Sequence, residues 1–268
     1  MNYNEVFDRL WTNYKNQNPS IEKIFNLFAN EGEQVKNDHI AFRTFNDSRL
    51  NINVLSRIFI QNGYVEKGEY FFKEKHLIAR HFEHADDANA PRVFISELIL
   101  DEFSQDIKEV INKYINSIPQ NVLKSDDLIF TGALIDRPSY NTYIKLLKES
   151  EYAAWVYVFG FRANHFTISI NALKKYNSIE LVNEFLKSNG IILNSTGGEI
   201  KGSKEELLRQ SSTIADLVKI QFCEGIYEIP SCYYEFAERH SDSTGKLFSG
   251  FIAKSADKIF ESTNFYRK

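Results

Sequence analysis

The stretch Asn37-Asp38-His39-Ile40-Ala41-Phe42-Arg43-Thr44-Phe45 reads as a β-strand, because apolar and polar residues alternate along it. Side chains two apart share a face of a strand. His39, Ala41 and Arg43 therefore line one side, with Ile40, Phe42 and Thr44 on the other. An imidazole and a permanent guanidinium with a small residue between them make a poor core and a reasonable site. A second stretch, Ala163-Asn164-His165-Phe166-Thr167-Ile168-Ser169-Ile170, is a degenerate copy of the first.

Working outward, each histidine strand leads into a helix that stops at Asn-Gly. The stripe Leu50, Val54, Leu55, Ile58, Phe59 predicts a helix over 50–62, closed by Asn62-Gly63. Residues 178–188 form its counterpart, closed by Asn189-Gly190. Gly63 lies 24 residues after His39, and Gly190 lies 25 after His165. Strand-like runs follow at 68–72, 77–82 and 92–100 in the first half, and at 191–193, 218–222 and 227–237 in the second. The closing runs, Phe94-Ile95-Ser96-Glu97-Leu98 and Cys232-Tyr233-Tyr234-Glu235-Phe236, each carry one acid among apolar neighbours. Such an internal repeat predicts an α+β fold: two βαβββ modules of vicinal-oxygen-chelate type, curled into a half-barrel around a metal, with extra helices.

The rest of the chain frames these modules. Residues 4–14 and 21–29 read as amphipathic helices, the second with Ser20 as N-cap and Gly32 as stop. A helix is expected over 103–118 and another over 140–147, with a turn-rich segment at 125–138 between them. Residues 155–159 form an apolar run, a buried strand or a helix end. Residues 196–212 read as an insertion with Gly197-Gly198 and a short helical piece. The expected division is a single domain, 1–268: N-terminal helices (1–36), module one (37–101), helical insertion (102–162), module two (163–238) and a C-terminal tail (239–268).

Composition excludes more than it proposes. A formal charge of −4 over 268 residues gives no reason to expect nucleic acid or an anionic membrane as partner. Cys223 and Cys232 make neither a disulfide framework nor a zinc motif and read as buried free thiols. The sequence opens without a signal-peptide pattern and has no apolar run near the ~20 residues that span a bilayer. A cytoplasmic, soluble protein is expected; the oligomeric state is not legible.

Two histidines and one carboxylate with open coordination positions suit mononuclear Fe(II). His39 and His165 come from the opening strands and Glu235 from the closing strand of module two. Glu97, taken as the repeat counterpart of Glu235, is its main rival, with Glu228 and Glu238 behind. A hydrogen-bonded core histidine and a solvated surface acid are the ordinary alternatives. Of the remaining histidines, His76 and His84 would share a strand face with His81 opposite, all scattered or at the surface, and His240 would be exposed at a strand end. Arg43 lies about 13 Å along the strand from His39. That leaves room for a small molecule gripped by the metal at one end and by a carboxylate-binding fork at the other. An ordinary salt bridge is the competing role for Arg43.

Asp38-His39-Ile40-Ala41-Phe42-Arg43-Thr44-Phe45 resembles the iron-dependent 2-oxoadipate dioxygenase/decarboxylase family. So do Pro91-Arg92-Val93-Phe94-Ile95-Ser96-Glu97-Leu98, Asn164-His165-Phe166-Thr167, Ile229-Pro230-Ser231-Cys232-Tyr233-Tyr234-Glu235-Phe236-Ala237, and the tail Ser255-Ala256-Asp257-Lys258-Ile259-Phe260-Glu261-Ser262-Thr263. The resemblance implies Fe(II) on His39, His165 and Glu235, deciding against Glu97. It implies Arg43 as the catalytic, substrate-binding arginine and Ser255 as a second substrate contact, on a tail folded over the site. Lys254 departs from the apolar residue of better characterised members, and those members are longer. The implied reaction takes a 2-oxo dicarboxylic acid, 2-oxoadipate, with O2 to 2-hydroxyglutarate and CO2, without a separate 2-oxoglutarate. The rival readings are a zinc-dependent hydrolase, isomerase or lyase on the same scaffold, and a binding protein without turnover.

Overall fold

Alternation carries β1 (Asn37–Phe45) to the middle of an eight-stranded sheet, where all but its first residue are buried. In the computed structural model, which describes residues 1–253, module one continues with β2 (Tyr64–Phe72), β3 (Leu77–His84) and β4 (Arg92–Leu98). Module two consists of β5 (Ala163–Ser169), β6 (Lys201–Ser203), β7 (Leu208–Ser212) and, after a separate hairpin of β8 (Leu217–Phe222) and β9 (Gly225–Pro230), β10 (Tyr233–Arg239). The sheet runs β2-β3-β4-β1-β5-β10-β7-β6. From the central antiparallel pair β1–β5, each module steps outward through the same sequence, a parallel partner and then an antiparallel one. The curled α+β half-barrel of paired βαβββ modules is therefore present.

Module two differs in detail from its expected outline. Residues 196–212 supply the outer strands β6 and β7 rather than a helical insertion. Their polar inward residues, Lys201 and Gln210, gave no hydrophobic alternation to read. Residues 191–193 form no strand; Leu193 makes a single bridge to Thr213. Residues 218–222 lie in the separate hairpin, and 227–237 break at Ser231-Cys232 into β9 and β10.

The helices follow their stripes. α1 (Tyr3–Gln17) starts in a capping box of Asn2 and Glu5. α2 (Pro19–Asn30) is capped at Asn18, not Ser20, because Pro19 takes the first helical position. The expected helix over 50–62 divides at Ser56 into α3 (Ile52–Leu55) and α4 (Arg57–Gln61). α5 (Gln105–Ser117), α6 (Gln120–Leu123), α7 (Tyr140–Glu149) and α8 (Glu151–Phe159) follow, and α9 (Ile179–Ser188) crosses module two. Run 155–159 is thus the end of a helix. From Tyr152 to Phe159 every residue of α8 is buried, as an apolar-all-round helix requires. The Tyr152 hydroxyl accepts from the Thr44 backbone N–H and donates to the Ser96 carbonyl, which fixes α8 across β1 and β4.

On the opposite side of the sheet, Trp11 and Tyr14 of α1 pack on Phe166 and Tyr234. Cys232 is buried, whereas Cys223, expected to be buried, is exposed beside the Arg137 carbonyl. Among the described residues no helix is long and apolar enough to cross a membrane.

Candidate metal centre

Register places the candidate ligands. His39 pairs with Thr167, and Thr167 with Glu235, so these three form one row across β1, β5 and β10. The next row is Ala41, His165 and Tyr233. All point to the concave face, since cross-strand partners share a face.

The three expected ligands converge, and each is at most 5% exposed. One ligand atom from each of His39, His165 and Glu235 lies within 4.8 Å of the others. His39 Nε2 is 3.3 Å from Glu235 Oε1, and His165 Nε2 is 3.4 Å from Glu235 Oε2. Two atoms bound at right angles to one ion at about 2.1 Å are about 3 Å apart, so each histidine lies near metal-ligand spacing from one Glu235 oxygen, and the set of three draws inward to share an ion. Among the described residues this is the one cluster of its kind.

Neighbours orient both imidazoles. His39 Nδ1 donates to Asp38 Oδ2 at 2.8 Å, and His165 Nδ1 donates to Asn164 Oδ1 at 3.1 Å. An acceptor on Nδ1 puts the lone pair on Nε2, facing the cluster. Burial pushes His165 down to about 3, and Arg43 and His39 add to that effect against Glu235. Its ring is therefore neutral and available as a ligand at neutral pH. Burial also opposes charge on His39, but Glu235 and Asp38 outweigh it and raise its pKa. Burial would raise Glu235, yet the two histidines and a hydrogen bond from Gln210 hold it below the ordinary carboxylate range.

Asp38 is itself anchored. Arg239 donates to it through Nε at 2.7 Å and Nη2 at 2.8 Å. Burial works against the Asp38 carboxylate, but Arg239 and His39 overcome it and keep it ionised. The same Arg239 donates through Nη1 to the carbonyls of Phe248 and Gly250. Phe251 then sits edge-on to His39 at 4.8 Å and against Phe94 at 4.9 Å, closing that end of the barrel.

Arg43 lies on the same face, 1% exposed. Its Nη1 donates to Glu151 Oε1 at 3.0 Å, and its guanidinium is 5.0 Å from the Tyr152 ring and 5.3 Å from that of Trp155. A cleft of about 660 Å³ reaches Arg43, Glu151 and Tyr152 but is lined by none of the three candidate ligands. Arg43 thus stands between the open cleft and the enclosed cluster. Ser255 lies outside the described residues.

The other candidates separate cleanly. Glu97 faces the opposite side of β4 and accepts from the Ile52 backbone N–H. It is not the structural counterpart of Glu235: two residues beyond the partner of its module's histidine stands Phe94 in β4 and Glu235 in β10. Glu238 is engaged by Arg209, and Glu228 lies on the β8–β9 hairpin. His76 is half-buried beside Glu102, and the His84 ring accepts from two loop N–H groups. His240 is only half-buried, not exposed. His81, expected at the surface, is instead 3% exposed on the concave face, bonded to Tyr70 and Glu83 and packed on Phe251. Lys201, Gln210 and Tyr233 were not singled out from the sequence. Lys201 is buried, donates to the Asn194 carbonyl, and is pushed by burial down to about 8.

The sequence pattern of the 2-oxoadipate dioxygenase/decarboxylase family matches residues 6–247. The chloroplastic 2-oxoadipate dioxygenase/decarboxylase of Arabidopsis thaliana is 36% identical, over 97% of this chain and 77% of its own. The hydroxyglutarate synthase of Oryza sativa, solved in complex with 2-oxoadipate, superimposes with a TM-score of 0.91 at 35% identity, covering 98% of this chain and 92% of that one. A Shewanella frigidimarina NCIMB 400 protein, described provisionally as a hydrolase, is 48% identical with a TM-score of 0.88, covering 93% and 97%.

Proposed function

The chain belongs to the 2-oxoadipate dioxygenase/decarboxylase family, and on that premise we propose that it converts 2-oxoadipate and O2 to 2-hydroxyglutarate and CO2. The observation that carries this reading is the placement of Arg43 on the same strand face as a buried two-histidine, one-glutamate cluster. In this reading His39, His165 and Glu235 hold Fe(II), which when bound supplies electrons and open positions for the 2-oxo acid and O2.

The chain's own residues set the conditions. Asp38 and Asn164 hold the imidazoles with Nε2 inward. Glu235 contributes one negative charge and leaves the centre cationic, which favours an anionic substrate. Arg43 offers a planar fork to the substrate's far carboxylate, at a separation suited to a short dicarboxylic acid. Ser255, a substrate contact in the same reading, comes from the resemblance alone. Phe251, Phe94 and Tyr70 form an apolar wall beside His39 that keeps bulk water from that edge. The zinc hydrolase, isomerase or lyase alternative has no support in the family match or in the rice enzyme's bound 2-oxoadipate.

The test is purified protein loaded anaerobically with Fe(II), then given 2-oxoadipate and O2. We expect one CO2 released per O2 consumed, with 2-hydroxyglutarate as product. Metal-loaded protein that consumes no O2 with any 2-oxo acid overturns the reading.

A further inference from the structure

Tyr233 is completely buried, and its hydroxyl has no hydrogen-bond partner among the described residues. An unsatisfied hydroxyl in a protein interior is destabilising and uncommon in folded proteins. Its position is specific. In the row Ala41, His165, Tyr233 it lies one step from the row of His39 and Glu235, on the side toward Arg43. Its ring stacks on His165 with centroids 4.7 Å apart and planes at 29°. The charges that act on its hydroxyl include Glu235, Arg43 and Glu151. A molecule that spans from the metal cluster to Arg43 crosses this middle row, where Ala41 has only a methyl side chain and the Tyr233 hydroxyl is the unpartnered polar atom.

We propose that the Tyr233 hydroxyl donates a hydrogen bond to the far carboxylate of the bound 2-oxo dicarboxylic acid, alongside Arg43. The assignment rests on the proposed function. A carboxylate has about four acceptor sites. Arg43 already directs one N–H to Glu151, so its fork alone leaves much of that demand unmet. The substrate's other polar end is occupied by the metal, and the methylenes between have nothing to accept a donor. Tyr233 is thereby a second determinant of dicarboxylate specificity, supplied by module two, facing the first, supplied by module one.

The test compares wild type with Tyr233→Phe, which keeps the ring and its stacking on His165. Binding of 2-oxoadipate and of the monocarboxylic 2-oxohexanoate is measured by anaerobic calorimetry on Fe(II)-loaded protein, with KM and kcat from O2 uptake. We expect about tenfold weaker binding and higher KM for 2-oxoadipate, less than twofold change for 2-oxohexanoate, and unchanged metal content. The ligand-free variant is expected to melt at the same temperature or higher, since it loses only an unpartnered group. Equal losses on both acids, no loss on either, or a Tm lowered by several degrees overturns the assignment. If wild type binds and consumes neither acid, the functional reading fails, and the Tyr233 assignment with it. If wild type is active and Tyr233→Phe is indistinguishable from it, only the Tyr233 assignment fails.

Discussion

Phe94 of β4 occupies the position in module one that Glu235 of β10 occupies in module two. Each lies two residues beyond the partner of its module's histidine, Arg92 for His39 and Tyr233 for His165. One module contributes a ligand and the other a wall, and the cluster stops at three protein ligands. Glu235→Gln should abolish metal-dependent thermal stabilisation, which scales with ligand affinity. Glu97→Gln, on the far face, should leave metal content and turnover intact and cost about 1 kcal/mol through the weakened bond to Ile52. Metal analysis and Tm with and without chelator check both.

Arg43→Lys should keep the charge and lose the fork. A charge-assisted hydrogen bond contributes about 1.5–3 kcal/mol, so KM for 2-oxoadipate should rise about ten- to a hundredfold. Metal content should not change, because Arg43 is not one of the three candidate ligands. Steady-state O2 uptake with dicarboxylic and monocarboxylic acids checks this, and equal effects on both would assign Arg43 a structural role.

Asp38→Asn should loosen His39 without removing a ligand. Loss of such an outer support typically lowers metal affinity ten- to a hundredfold. The change also leaves Arg239 buried beside a neutral partner, which costs about 3–5 kcal/mol when such pairs are broken. Competitive metal titration below the variant's melting transition separates the two effects.

Glu33 gives a pH-dependent signal remote from the metal centre. Its carboxylate accepts the backbone N–H groups of Lys174, Lys175 and Tyr176, tying the end of α2 to the loop after β5. Burial opposes its charge, but those three donors prevail and lower its pKa below the ordinary 4.5. Its contribution is therefore complete above pH 4.5 and lost as pH falls through the folded-state value. Glu33→Gln should cost about 1–3 kcal/mol at pH 7 and progressively less in acid. The gap between the urea midpoints of variant and wild type should be widest at pH 7 and narrow steadily as pH falls below 4.5.

Legibility in the sequence followed local pattern. β1 and β5 alternate clearly, and their repetition with an Asn-Gly stop exposed the paired modules and both histidines. Glu235 was harder, because counting acids on closing strands matched it to Glu97, whereas register against the histidines matches it to Phe94. Alternation also hid β6 and β7, whose inward residues are polar for the sake of the site. Lys201 and Gln210 thus looked like an exposed insertion. His81 read as one of a surface cluster, because nothing nearby in sequence announces Phe251, the residue that covers it. Tyr233 looked like any aromatic core residue; what distinguishes it is an unpartnered hydroxyl on a residue stacked on His165, in the row between the cluster and Arg43, and that is a property of three-dimensional surroundings.

Arg239 binds Asp38 with one edge of its guanidinium and the carbonyls of Phe248 and Gly250 with the other. One side chain therefore carries both the support of His39 and the seating of Phe251 against it, so a change at Arg239 disturbs ligand and cover together.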